Sequence, residues 1–584
     1  MYLRIVTRKN KNGTSVDYYQ LAHNERDPKS KKPVARIIHS FGRADKLDRN
    51  ILIRLCQSIA RVCGLKVIDV SQQWEQEKSE QKDDKAKKFF DTVKLIKTLE
   101  FGTVEVIRFL WDKLGIGEAL RSPGNQGRSS SSCPDSYEQA LLAMTANRLC
   151  EPESKLGVWD RWLSKVYLPA SDMLKLDHMY ESMDYLHDHY EQVEKSIFFH
   201  MANLFNLEVD LIFYDTTTAS FCIDQEDEDI ELDVDVHTGE TEVLAEGLRK
   251  YGHSKDGVWA PQVVVALAVT RSGLPVRCWV FPGNTSDVTT IKKVRQDLRG
   301  WKLNRALFVA DSGVNSEENR SELARACGKY LLATRMATVS EVKKKVLSKR
   351  GKYKVIKDNL HAKEVIVGDG ERRRRYILCY NPKEAERQQN HRKEIVEKLE
   401  EILKQHPEEK NIATAQWAIE LLASRRYKRY LRIAKGNGVE LDQKAIKEAK
   451  RYDGKWVIET NDDTISFEDA ACGYKGLVVI EQCFRSLKRT QIKMTPMFHW
   501  LPHRIETHVR ICVLALLIER VAELSCQMPW SSIRNILHQL QVTECQTTDH
   551  VFFRLNEVSK EVKEIFKKLE IPLPKSVLGI NPLP

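Results

Sequence analysis

What the chain lacks narrows its function first. No apolar run reaches the roughly 20 residues of a membrane-spanning helix, and Ile511–Ile518 falls far short. The first ten residues, MYLRIVTRKN, hold no apolar signal core, so the expectation is an intracellular protein. The 13 cysteines are scattered, odd in number and without a CxxC pair. That argues against a disulfide framework and a zinc site, and for reduced, structural thiols. No G-x-x-x-x-G-K-[ST] stretch is present, which removes support for an ATP-driven mechanism. No Ser-His-Asp or Cys-His arrangement stands out, and no internal repeat is visible.

What is present suits a large soluble protein. A chain of 584 residues, 42% hydrophobic and 30% charged, is too long for one core and calls for two to four domains. The formal charge of +11 suits a polyanionic partner, nucleic acid foremost, although a plain basic surface has the same signature. Residues 1–70 form a small basic unit. Tyr2–Thr7, Val16–Ala22 and Val34–His39 have strand character, Asn12-Gly13 is a turn signal, and Asp48–Val62 has helical spacing. Its lysines and arginines would grip phosphates or make a solvated face.

Residues 71–205 are expected to be helical and to bind DNA. They open with a charged connector at 73–88 and contain a Ser-rich loop at Ser122–Pro134. His187 and His189 lie two apart, off a shared helix face, so they make no metal pair.

From Leu207 the pattern becomes three strands, a helix, a strand, a helix and a strand. The predicted strands end at Asp215, Thr270, Phe281, Asp311 and Thr334. This is the order of a ribonuclease-H-like α/β core. The fold expected is therefore α/β, with that core (206–334 and 451–525) interrupted by an α+β insertion (335–450) and flanked by helical regions. The insertion carries RRRR at Arg372–Arg375 and RRYKRYLR at Arg425–Arg432, the latter on an expected helix Thr414–Ile433. Residues 526–584 are expected to form a C-terminal, dimerising region.

The chemistry is expected at three acids. Asp215 and Asp311 close two predicted central strands, where ligand sites of open α/β sheets collect. The stretch YKGLVVIEQCFRSLK reads as one helix, whose spacing puts Tyr474, Leu477, Glu481, Arg485 and Lys488 on one face. Glu481 is then the third carboxylate. Hard divalent ions need oxygen ligands, and two such ions, Mg2+ or Mn2+, can run an in-line phosphoryl transfer.

The motifs YDTTT, YGHSKDG, FPGNTSD, VADSG, YDGKWVIETN and Y-x2-L-x3-E-x6-K, in that order, resemble bacterial insertion-sequence transposases of the DDE superfamily. The nearest branch carries a Tyr-Arg-Glu-Lys signature and an insertion in its core. The resemblance implies Asp215, Asp311 and Glu481 as catalytic, metal-binding residues, and Tyr474 and Lys488 as DNA-phosphate contacts. The signature Arg position holds Leu477, which cannot pair with a phosphate. Arg485, one turn past Glu481, is the substitute cation. Asp256 and Asp287 match family positions and are further acidic candidates. In other members a tryptophan of the insertion stacks on a flipped base; here Trp417 lies in the insertion and Trp456 and Trp259 outside it, and none is assigned that role. The resemblance also implies double-stranded DNA as partner (terminal inverted repeats and target), a homodimer on paired ends, and a place in the bacterial cytoplasm at the nucleoid. The alternatives are an inactive, transposase-derived DNA-binding protein and a ribonuclease-H-like nuclease.

Overall fold

The structure, a computed structural model, describes residues 1–9, 15–28, 32–64, 93–121, 133–231, 243–245, 247–303, 305–406, 415–434 and 438–582. The Asn12-Gly13 turn, the connector 73–88, residues 122–132 of the Ser-rich loop and the end of the acidic run 224–235 lie outside them. Two compact units are distinguished.

The first unit is essentially Met1–Leu95. Strands β1 (Tyr2–Lys9), β2 (Ser15–Arg26) and β3 (Pro33–Arg43) form an antiparallel sheet in that order, followed by a helix at Arg49–Val62. The strands fall where alternation places them, and run a few residues longer.

The second unit opens at Ile96, within β4 (Lys94–Glu100), and continues with a helical layer that includes Gly102–Lys113, Asp135–Cys150 and Leu176–Leu204. The sheet begins with β5 (Leu211–Ser220). A short ribbon, β6 (Ile230–Glu231) and β7 (Val243–Ala245), precedes β8 (Lys250–His253), β9 (Trp259–Thr270) and β10 (Pro275–Pro282). Then come β11 (Leu307–Ala310), β12 (Lys329–Thr334), β13 (Lys354–Lys357), β14 (Leu360–Val367) and β15 (Arg374–Tyr380). After an excursion that contains β16 (Leu431–Ile433) and β17 (Val439–Leu441), β18 (Lys455–Thr460) returns to the sheet. The spatial order is β10-β9-β5-β11-β12-β18-β15-β14-β13, with β8 on β9. A four-stranded sheet of β4, β19 (Gln541–Gln546), β20 (His550–Leu555) and β21 (Val577–Pro582) completes the architecture.

The middle of the large sheet is mixed. β5, β11 and β12 run parallel, whereas β9 and β18 pair antiparallel to their neighbours. β9 is buried from Pro261 to Thr270 and apolar without a break from Val263 to Val269, as expected of a strand covered on both faces. The helix Pro502–Cys526 is buried on nearly every side, with an apolar middle at Ile511–Ile518 and the polar His508, Arg510 and Glu519 buried beside it.

Three expectations are corrected. β5 does not stop at Asp215, because the β-branched Thr216–Thr218 continue the ladder with β9 as far as Ser220. The region 335–450 is not wholly an excursion, because β13, β14 and β15 extend the same sheet through β18. What leaves the sheet is Pro382–Ala449, which has its own small core around Ile395, Leu399, Leu421 and Tyr430. Within it, the expected helix Thr414–Ile433 stops at Ala423, since Ser424 is extended, and the arginine-rich run ends in β16.

Tyr474–Lys488 is likewise not one helix. It comprises helices at Phe467–Lys475 and Val478–Arg485 and a wide turn at Ser486–Thr490. Between the two helices the bonds tighten to i→i+3, from Leu477 to Tyr474 and from Val479 to Gly476. Gly476 permits this because the chain presses on Phe213, and a Cβ there would stand 2.6 Å from the ring.

Candidate active site

Register builds the site. The parallel ladder pairs Ala310 with Tyr214 and then ends, because β11 stops at Ala310. The next residue on each strand is an aspartate, so Asp311 comes to lie beside Asp215, about one strand spacing away. β5 outlasts its parallel partner, and Asp215 stands where that partner gives out. This reconciles a mid-strand position with a site at the end of the parallel ladder.

Asp215 accepts a hydrogen bond from the Thr216 amide at 2.7 Å. Burial raises its carboxyl above the usual range, with Asp287 and Asp311 adding to the rise and Lys255 opposing it. Asp287 opens the helix Asp287–Gly300, where a negative charge suits the helix dipole. It accepts from the Thr216 hydroxyl at 2.5 Å.

The tight turn between β8 and β9 supplies a cation. Gly257 adopts a positive φ of 84° and closes the turn onto Ser254. The turn thereby projects Lys255, whose Nζ donates to the Thr216 carbonyl at 2.5 Å and hydroxyl at 2.6 Å. The same ammonium lies 3.5 Å from Asp215 Oδ1 and 3.4 Å from Asp287 Oδ2. The neighbouring residue, Asp256, faces away to Lys488 and Arg489, both at 2.7 Å. The Lys488 hydrogen bond leads in holding the Asp256 carboxyl below the usual range.

Glu481 and Tyr474 complete the site. Tyr474 donates its hydroxyl to Asp311 Oδ1 at 3.2 Å. Burial, then the charge of Asp311, pushes its phenol well above the ordinary range, and Glu481 and Asp215 add to that effect. One hydroxyl thus lies in the field of all three expected acids. Glu481 is exposed, in the first turn of Val478–Arg485.

The remaining expected contacts are distributed differently. Lys488 is held in its pair with Asp256. Arg485 is exposed and lines a separate cleft of about 420 Å³ with Glu519, Arg520 and Glu523. Leu477, 8% exposed, is part of the main core, so the substitution of the signature Arg is a packing residue. Trp417 stacks on His406 at 4.8 Å. Two residues gain importance: Asp287, and Lys255, which sequence reasoning passed over. Their signals were in the motifs YGHSKDG and FPGNTSD.

The donor set is all oxygen, which suits a hard divalent cation. The ammonium between Asp215 and Asp287 marks where the local field favours positive charge. Among the described residues, no group of three or more His, Cys, Asp or Glu side chains stands in metal-holding geometry. The acids are neighbours without converging on one point. No helix among the described residues is long and apolar enough to cross a membrane, and all 13 cysteines are free thiols.

Comparison with known proteins matches this region. Residues 215–517, just over half of the chain, match the family described as Transposase DDE domain. Residues 3–69 match the IS1634 family transposase, N-terminal domain. The chain belongs to the insertion-sequence DDE transposases. No curated protein matches it. Among solved structures, it is similar to the piggyBac transposase synaptic complex with hairpin DNA, at 7% identity and a TM-score of 0.32, covering 80% of this chain and 77% of that one. It is also similar to the Mos1 transposase paired-end complex with left transposon end, at 11% identity and a TM-score of 0.12, covering 34% and 60%.

Proposed function

We propose that this transposase binds the terminal inverted repeats of its own element, hydrolyses the end phosphodiester bonds and joins the freed 3′-hydroxyls to target DNA. The observation that carries the reading is the register that sets Asp311 beside Asp215, with Tyr474 hydrogen-bonded to Asp311 and in the field of Glu481. On this reading β10-β9-β5-β11-β12 and their helices are a ribonuclease-H-like core, and Pro382–Ala449 is its insertion.

Asp215, Asp311 and Glu481, with Asp287, would hold two divalent ions, Mg2+ or Mn2+. Bound there, the metals would activate the attacking oxygen and neutralise the leaving one. The chain's own groups do the rest. Tyr474 orients the Asp311 carboxylate. Thr216 orients Asp287, and Lys255 balances the charge of Asp215 and Asp287. Lys488 and Arg489 anchor the turn that carries Lys255, while Tyr474, Arg485 and Lys488 lie on the stretch proposed to meet the DNA end. The basic N-terminal unit and the helical region up to 205 are further DNA-binding elements, and two copies act on paired ends, with residues 526–584 as a dimerising region.

The test is cleavage of repeat-ended duplex DNA with magnesium by wild type and Asp215→Ala. Undiminished cleavage by the variant would remove the acids from the mechanism. Cleavage by wild type without strand joining would point to a nuclease.

A further inference from the structure

A second charged site lies apart from the acids. A cleft of about 860 Å³ is enclosed by the end of the helix Asp135–Cys150, the Pro152–Leu156 loop, Arg161, Tyr180, the Lys493–Trp500 loop and the start of the helix Pro502–Cys526. Two cations in its lining, Arg148 and Lys155, are each only 3% exposed. Buried cations are ordinarily paired with carboxylates. Among the described residues, the hydrogen-bond partners of Arg148 are neutral: the Lys493 carbonyl at 3.3 Å, the Asn147 amide oxygen at 3.2 Å and the Glu153 carbonyl. Arg148 Nε is buried without a hydrogen-bond partner. Among the described residues, Lys155 Nζ meets the His508 ring nitrogen alone, at 3.3 Å.

Two of the other cations in the lining are paired, and Lys493 adds an exposed positive charge at the rim. Glu153 pairs with Arg161 at 2.6 Å, and Arg504 pairs with Asp184 at 2.7 Å. Among the described residues no carboxylate lies within salt-bridge distance of Arg148 or Lys155, and the Glu153 carboxylate acts on Arg148 only through its field. Arg148 acts on Lys155, and both act on the two histidines of the lining. Burial, then Arg148, lowers the Lys155 ammonium to about 7. Burial, then Lys155, lowers His499 to about 3 and His508 well below its usual range. The protonated form of each of these groups is disfavoured, and a bound anion would ease that penalty.

The rim indicates which anion. Phe498 and Trp500 are exposed at the mouth of the cleft, Trp500 with the Arg249 guanidinium 5.0 Å over its ring, and exposed aromatic faces stack on bases beside a basic groove. We propose that this cleft binds the phosphate group of a nucleotide in a DNA strand, with Arg148 and Lys155 as the buried anion contacts and Phe498 and Trp500 as base platforms. The site is independent of the assignment of the acids.

Calorimetric titration of the full chain in EDTA, which silences any metal-dependent binding at the acids, tests this. The probes are a 5′-phosphorylated dinucleotide and orthophosphate. Wild type should bind the dinucleotide more tightly than orthophosphate. Lys155→Met should weaken dinucleotide binding about tenfold or more, the loss expected on removing one charge-assisted hydrogen bond. Should that variant not fold, Lys493→Ala at the exposed rim serves, with a smaller loss. Failure of wild type to bind either probe, or unchanged binding by whichever variant folds, overturns the proposal. Binding of orthophosphate alone overturns the nucleotide assignment.

Discussion

The acidic site and the cationic cleft solve opposite electrostatic problems in different ways. The acids are built with an internal counter-ion: Lys255 sits between Asp215 and Asp287, and Tyr474 donates to Asp311. Among the described residues the cleft has no such close partner: Arg148 and Lys155 meet only neutral hydrogen-bond groups, and the Glu153 carboxylate acts on Arg148 from a distance. A compensated site can keep its geometry before any ligand arrives. One without a close counter-ion stores unfavourable charge that a ligand must discharge. Burial alone does not separate them, since both contain groups withdrawn from water. The difference lies in what the surrounding chain supplies.

Four substitutions probe that contrast. The largest effect is expected for Asp215→Ala, which removes a carboxylate from the centre of the acidic cluster. Cleavage of repeat-ended DNA should fall on the order of 10²–10³-fold, as when a preorganised electrostatic group is deleted, with circular dichroism unchanged.

Lys155→Met comes next, and should stabilise the protein. The Lys155 pKa is lowered in the folded state, so the folded chain binds this proton more weakly than the unfolded one. The penalty is complete below about pH 7 and fades as pH rises toward the unfolded value. The variant should therefore gain on the order of a few kcal/mol at pH 6, and less at pH 9. Urea denaturation at the two pH values measures it, and a loss of stability at pH 6 would mean that the cleft is compensated after all.

Lys255→Met should act in the other direction. Deleting the counter-ion leaves Asp215 and Asp287 to repel, and should cost about 1–3 kcal/mol in EDTA. Thermal melts should show magnesium restoring part of that loss, a response smaller in wild type. Arg489→Ala should do least. Its side chain is 72% exposed, and the pair with Asp256 should contribute no more than about 1 kcal/mol.

How much of this was legible in sequence depended on the range of the interaction. Strands β9, β10, β11 and β12 follow from apolar runs bounded by turn residues, because those runs bury themselves wherever the sheet forms. Asp215 and Asp311 stood out because each ends an apolar stretch. The continuation of β5 through Thr216–Thr218 did not, since it depends on β9 as an antiparallel partner. The break at Gly476 was equally hidden, because helical spacing is intact across it and only contact with Phe213 requires it. Ser424 extends the chain where arginines and tyrosines at helical spacing suggested continuation.

Charge followed the same division. Composition showed an excess of cations but not which of them are paired. Lys488 and Arg485 are similar in sequence, yet one is engaged by Asp256 while the other lines a different cleft. Leu477 was visible as a departure from the signature, and its burial supplies the physical reason.

The sequence by itself determined the succession of the main strands and helices of the sheet and the membership in the transposase family, and it singled out the acids proposed for the site, because local hydrophobic patterning and motif spacing are written in the chain. Only the tertiary structure decided that Lys255 lies among the acids, that residues 354–380 extend the central sheet, and that Arg148 and Lys155 share a cleft without a close counter-ion. Those outcomes require segments distant in the chain to meet, and the free energy of a charge depends on the groups brought around it.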